Sequence, residues 1–185
     1  MQIKAPNSNE EPSSRQTIMF EIRVATQFDE PFLWEMLYEA AQMEEAGEVL
    51  DDAKRNPHLA RYVANWGQAN DIGFLAIHPA TQHPVAAAWL RLLPDDRKEY
   101  GYSKNGIPKL AIATAKSFRH MGAGTQLMEA LVQYATEKYS AIYLTVRANN
   151  APAIQFYTKL GFKKTPNSEV INRVGGQSFA MLLEL

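Results

Sequence analysis

The 185-residue chain contains no cysteine. That absence removes disulfides, thiolate nucleophiles and zinc–cysteine centres together, and it fits a reducing interior. Long apolar runs are missing as well. The longest is Val85–Leu90, far short of the ~18 residues a membrane span needs. Neither sign of charge is in excess: 19 Lys and Arg against 20 Asp and Glu leave a formal net charge of −1, so no bulk positive field exists to hold nucleic acid or an anionic membrane. The four histidines, His58, His78, His83 and His120, stand at loops or element ends without paired spacing. They read as solvated surface residues, and no metal is expected. The start, MQIKAPNSNEEPSSRQT, carries acids and no apolar stretch, so it does not read as a signal peptide. The expectation is a soluble, cytoplasmic protein without a nucleic-acid or membrane partner.

What is present is ordinary for a globular protein: 46% hydrophobic and 21% charged residues, enough for one domain with a real core. Residues 1–16, rich in Pro, Ser, Asn and Glu, read as a disordered tail, leaving 17–185 as the domain. Thr17–Thr26 alternates as a strand. Phe32, Leu33, Met36, Leu37, Ala40 and Ala41 repeat at helical spacing, with Asp29 as N-cap. A shorter helix is expected from Pro57 to Trp66. Asp71–His78 and Val85–Leu93 read as an antiparallel hairpin around PATQHP, and Pro94–Pro108 as a loop. Then come a short buried strand, Leu110–Thr114, a helix, Gly124–Tyr139, a strand, Ala141–Val146, and a helix, Ala151–Leu160. Two closing strands follow, near Phe162–Lys163 and Gln177–Leu183. The order β-α-α-β-β-β-α-β-α-β-β predicts an α/β fold: one mixed sheet with helices on both faces.

The informative stretch is LAIATAKSFRHMGAGTQLMEAL, Leu110 to Leu131. A buried strand, a short loop and two glycines lead into a helix. Such a loop leaves backbone N–H groups unpaired at the positive end of a helix dipole, an arrangement suited to phosphate. Gly122 and Gly124 let the main chain come close, Arg119 and His120 add donors, and Lys116 adds charge. The ATP or GTP pattern is absent, because no Gly-Lys-Ser/Thr follows the loop. The dinucleotide fingerprint fails because Leu127 stands where its third glycine belongs. The structural alternative is a helix that happens to begin with glycines.

A second segment, AIYLTVRANNAPAIQFYTKLGFKKT, runs from Ala141 to Thr165. The pair R-x-x-G-x-G (Arg119, Gly122, Gly124) and N-x-x-A-x-x-x-Y-x-x-x-G-F (Asn150, Ala153, Tyr157, Gly161, Phe162) resembles the coenzyme-binding motifs of the GNAT acetyltransferase superfamily. The resemblance is dense over Leu110–Thr165, reaches back through AAAWLRLL to about Asp71, and is limited to element order over residues 17–66. It implies a sheet splayed between the strands at 110–114 and 141–146, with the pantetheine arm of acetyl-coenzyme A inserted there. By the same resemblance Ile112, Ala113 and Thr114 would meet the pantetheine, and Arg119, His120, Met121, Gly122, Ala123, Gly124 and Thr125 the pyrophosphate. Asn150 would contact the coenzyme or the adjoining loop. Tyr157 would be the general acid for the departing thiolate, and acetyl-coenzyme A the co-substrate.

Two positions depart from that pattern. Related sequences often carry Pro-Glu-Leu where this one reads Pro108-Lys109-Leu110, so a general base is not expected at Lys109. The usual Arg-Gly-Lys/Gln-Gly is Arg119-His-Met-Gly122. Glu99 or an acid of the first helix, acting through water, is the remaining source of a base. The reaction implied is direct attack by a neutral small-molecule or peptide amine, with backbone N–H groups near Ala113–Thr114 on the oxyanion. Glu35, Glu39, Glu44, Glu45, Glu48, Asp51 and Asp52 occur with no Lys or Arg between Glu35 and Asp52. They read either as a field attracting a cationic amine or as a solvated face. Trp34, Tyr38, Trp66 and Trp89 read as acceptor-pocket lining or as core. A non-catalytic module that binds acyl-coenzyme A is the competing class, and a homodimer stays open.

Overall fold

A computed structural model describes residues 18–93 and 106–185. The tail over 1–16, most of the loop from Pro94, and Glu99 lie outside the described residues.

The strands are β1 (Glu21–Val24), β2 (Ile72–Ile77), β3 (Pro84–Arg91), β4 (Lys109–Thr114), β5 (Ala141–Arg147), β6 (Lys163–Lys164), β7 (Val170–Ile171) and β8 (Gln177–Glu184). The helices are α1 (Glu30–Ala40), α2 (Leu50–Arg55), α3 (Pro57–Ala60), α4 (Ala123–Thr136) and α5 (Ala151–Lys159). The strands form one sheet in the order β1-β2-β3-β4-β5-β8-β6, with β7 also pairing β8. Every pairing is antiparallel except β4 with β5, which is parallel.

Period-two alternation sends the two sides of β3 into different layers. Ala86, Ala88 and Leu90 pack with Leu127, Met128, Leu131 and Ala135 of α4. Ala87 and Trp89 pack with Leu33, Trp34, Met36 and Leu37 of α1. A strand covered on both faces reads as an unbroken apolar run, which is why AAAWL carries no polar residue. Leu33, Leu127 and Leu131 are fully buried, and truncating one to Ala should cost about 2–5 kcal/mol. Gly73 of β2 is required by close approach: a Cβ there would meet Trp89 Cβ at 3.0 Å and Trp66 Cζ2 at 3.1 Å.

The helical region after α1 differs from expectation. The helix expected between Pro57 and Trp66 is α3, four residues long and opened by Pro57; α2 precedes it unannounced, and the two are hinged at Asn56. Asn56 precedes a proline, which drives it to an extended conformation (φ −85°, ψ 110°). Its side chain caps α3 by accepting from His58 N–H at 3.0 Å. The chain beyond is tied to the sheet by Arg91, buried and paired with Asp71 at 2.6 Å. Arg91 also donates to the carbonyls of Arg61 and Ala64 at 3.0 and 2.9 Å.

β1 is shorter than its alternation predicts. Its leading residues pair with a side chain instead of a strand: Phe20 N–H donates to Gln126 Oε1 at 3.0 Å, and Gln126 Nε2 donates to Ile18 O at 2.8 Å. Asp29 stands at the N-cap of α1 without bonding into that helix. Its carboxylate accepts from Thr26 N–H and pairs with Arg23, each at 2.7 Å.

Candidate functional site

β4 and β5 run parallel but share a single register pair, Lys109 with Tyr143, anchored by Tyr143 N–H donating to Pro108 O at 3.1 Å. Towards their C-terminal ends the two strands part, as expected for 110–114 and 141–146. The ladder partners decide which backbone groups the gap receives. Ala115 N–H donates to Val85 O at 2.9 Å, and the β3–β4 register continues through Ala87 with Ala113. Alternation in an antiparallel ladder therefore commits Ala113 N–H to β3 and turns the N–H groups of Ile112 and Thr114 towards the gap. Of the two residues expected near the oxyanion, Thr114 turns its N–H to the opening and Ala113 turns its N–H to β3. On β5, Thr145 Oγ1 is buried without a hydrogen-bond partner.

The gap belongs to a cleft of about 900 Å³ whose walls include Ile112, Ala113, Thr114, Arg119, His120, Gly122, Ala123, Gly124, Thr125, Asn150 and Tyr157. Met121 is the one expected binding residue outside this wall: its side chain packs against the α4 core and its carbonyl accepts from Ile18 N–H at 3.2 Å. Gly122 is the N-cap of α4 in a left-handed conformation, φ 96°, which only glycine adopts without strain. The first intrahelical bond runs from Gln126 N–H to Gly122 O. The N–H groups of Ala123, Gly124 and Thr125 are therefore free to bind an anion. Gly124 itself is helical, and a Cβ there would lie 3.5 Å from Phe156 and 4.0 Å from Ile112, in ordinary contact.

Arg119 lies beside this loop with its guanidinium directed elsewhere. Nε donates to Thr114 O at 3.2 Å and Nη2 pairs with Glu39 of α1 at 2.7 Å. Asn150 caps α5, its Oδ1 accepting from Ala153 N–H at 3.2 Å, while its residue also lines the cleft. Tyr157 is half-buried, its ring tilted 5.5 Å from Phe156 and 5.7 Å from Phe162. Its hydroxyl has no hydrogen-bond partner among the described residues, and burial pushes its pKa above the usual phenol value, so it is protonated at neutral pH.

With this geometry, a sequence match decides the family. Residues 30–162 match the model of the acetyltransferase (GNAT) family. The chain belongs to that family. An N-alpha-acetyltransferase of Sulfurisphaera tokodaii is 40% identical over a stretch covering 37% of this chain and 47% of that protein; the chain thus spans about half the length of the curated relatives it matches. The ribosomal-protein-alanine N-acetyltransferase of Brucella melitensis superposes with a TM-score of 0.67 at 19% identity, covering 89% of this chain and 99% of that one. A structure from Salmonella typhimurium, described as an acetyltransferase with its cofactor acetyl-CoA, gives 0.63 at 17% identity, covering 90% and 94%. At these identities the structural likeness establishes the GNAT fold alone.

Within the GNAT fold the acceptor face decides between the two readings of its aromatics. Trp34, Trp66 and Trp89 are buried core residues. Indole N–H groups of Trp34 and Trp89 are spent on Glu30 Oε1 and Tyr62 O, and Tyr38 OH donates to Glu48 O. None of the four aromatics lines the cleft; Leu37, His58, Leu59 and Tyr62 do. Lys109 is buried, its ammonium 5.2 Å from the Tyr62 ring centre and 5.5 Å from that of Tyr143. His78 is no solvated residue either; its ring packs 5.2 Å from Phe118.

The acidic stretch offers no open field for a cation. Glu39 pairs with Arg119, Glu44 with Lys116, Glu45 with Arg147 and Glu48 with Arg173. Its charge is matched by the loop before α4, the end of β5 and the β7–β8 turn. Nothing in residues 35–52 announces those partners, which lie 72 to 125 positions away along the chain. Among the described residues no helix is long and apolar enough to cross a membrane.

Proposed function

We propose that this chain moves an acetyl group from acetyl-coenzyme A to an amine by direct attack, with its GNAT domain beginning near residue 17. One observation carries the reading most: β4 and β5 separate just beyond Lys109 and Tyr143, and the free N–H groups of α4 open into the same cleft. That combination suits a long ligand with a thioester at one end and phosphates at the other. The pantetheine would lie along Ile112 and Thr114, whose N–H groups turn towards the gap. The pyrophosphate would take the N–H groups of Ala123, Gly124 and Thr125, with His120 beside them.

In this reading the amine nitrogen attacks the thioester carbon and its bond to carbon forms. Thr114 N–H stabilises the oxyanion. As the oxyanion collapses the carbon–sulfur bond breaks, and Tyr157 gives its proton to the sulfur. Burial keeps that hydroxyl protonated until it is needed. The attacking nitrogen must shed its own proton, and Glu39 is the carboxylate on the cleft wall among the described residues. It would act through water. The curated relatives named N-alpha-acetyltransferase support a peptide α-amine as acceptor.

A module that only binds acyl-coenzyme A is the second reading, favoured by the buried lysine at position 109. An amine panel with acetyl-coenzyme A, read as free thiol, separates the two. Amine-dependent thiol release supports the transferase. Binding of the coenzyme with no release for any peptide, amino acid or polyamine would leave the binding module standing.

A further inference from the structure

The cleft has two chemically different sides. The face bearing α4 and α5 offers backbone N–H groups. The α1 face offers guanidinium groups, from residues at the C-terminal end of β5 and in the turn between β7 and β8. Odd-numbered side chains of β5 point to this second face, since the even-numbered Ile142, Leu144 and Val146 belong to the α4 core. Arg147 and Arg173 converge there on one acceptor, the carbonyl of Ala41, at 2.6 and 3.3 Å. Both line the cleft, with side chains only 18% and 20% exposed. Neither lies on the α4 face, so coenzyme phosphates bound at that helix do not explain them.

Their other contacts are carboxylates on the segment after α1. Glu45 reaches Arg147 at 3.3 Å and is itself 67% exposed; Glu48 holds Arg173. Glu45 and Glu48 do not line the cleft, and Glu39, the carboxylate that does among the described residues, is tied to Arg119. The described part of the acceptor side therefore presents cations to an incoming molecule. The exposed Glu45 holds Arg147 only loosely and exchanges easily with a better-placed carboxylate, and two guanidinium forks are matched to a carboxylate in a way an ammonium is not.

We propose that the amine acceptor carries a carboxylate close to its amine, and that Arg147 and Arg173 bind it. Glu45 and Glu48 are the intramolecular carboxylates it replaces. This rests on the transferase reading above and narrows it: polyamines and aminoglycoside-like amines are excluded, and amino acids or peptides with an acidic first residue are selected.

The test compares matched acceptors with acetyl-coenzyme A: a tripeptide amide beginning with glutamate against one beginning with glutamine, free glutamate against its diamide, and spermidine. The peptide pair reads a side-chain carboxylate, and the amino-acid pair adds the α-carboxylate. For at least one pair the acid form should be favoured in kcat/KM by about tenfold or more. Arg173→Gln and Arg147→Gln should each bring that ratio towards one, with melting temperature and acetyl-coenzyme A affinity checking the fold. Glu45→Gln, at an exposed site, should lower KM for the acid form; a raised KM would count against displacement. Equal rates within both pairs, or preference for spermidine, would overturn the proposal while leaving the transferase intact. Coenzyme binding with no acceptor acetylated would overturn both.

Discussion

Lys109 and Tyr143 are the one point at which β4 and β5 share register, and the strands diverge beyond it. In most parallel pairs the ladder continues and the backbone groups of both strands are consumed. Here the β3 side of β4 is fully laddered from Ala86–Thr114 to Arg91–Lys109, and β5 is laddered to β8 over its whole length. The inner edges are left polar. Burying them unpaired would be costly, so the opening is stable only as a wet or ligand-filled slot, and a ligand that supplies the missing partners should stabilise the fold.

The first prediction follows directly. Acetyl-coenzyme A at 100 times its Kd should add about 2.7 kcal/mol to the stability of the native state. Thermal unfolding with and without the coenzyme reads this as a rise in Tm. No rise at millimolar coenzyme, with no heat of binding by calorimetry, would sink the coenzyme reading.

Gly124 separates packing from ligand approach. Its backbone is helical and the space for a Cβ is adequate, so Gly124→Ala should leave stability unchanged or raise it by up to about 1 kcal/mol. The same methyl group lies between Phe156 and Ile112 on the cleft wall and should weaken coenzyme binding on the order of tenfold. Unchanged affinity would return Gly124 to a purely structural role. Gly122→Ala should behave differently and lose stability, because φ there is 96°.

Tyr157→Phe tests mechanism. The ring contacts with Phe156 and Phe162 survive, and the hydroxyl removed has no partner among the described residues, so Tm and coenzyme Kd should hold. If the hydroxyl protonates the leaving sulfur, kcat falls by roughly tenfold to a few hundredfold. A loss confined to KM would make it a coenzyme contact instead. An unchanged single-turnover rate would leave it a packing residue.

Asp29 supplies a pH signature. Pairing with Arg23 and the N–H of Thr26 lowers its pKa to about 2. A depressed carboxylate contributes its full stabilisation above its unfolded value of about 3.9 and loses it as pH falls through the folded value. Asp29→Asn should therefore lower Tm at pH 7, modestly because Arg23 is 39% exposed. The difference from the parent protein should shrink between pH 4 and about 2. A difference that stays constant with pH would assign the effect to lost packing.

Much of this molecule was readable along the chain. Hydrophobic spacing marked β3 as a strand and α4 as a helix, and the glycines before α4 marked where that helix starts with its first N–H groups unpaired. Those signals are local: a side chain's face and a helix's first N–H groups are settled within a few residues. The Lys109-for-Glu departure was equally visible, because it is a matter of residue identity. What the sequence could not settle depended on distant partners. The alternation of Ile18–Phe20 was real, yet Gln126 claimed those backbone groups and shortened β1. The acids from Glu39 to Glu48 read as a field for a cation or as a solvated face, and folding instead brought Lys116, Arg119, Arg147 and Arg173 against them. Thr114 and Ala113 are neighbours of similar promise, and only their register against β3 decides which N–H is free. Local periodicity fixes which way a group points. Its partner is chosen by chain segments far away in sequence, and that choice exists only in the folded molecule.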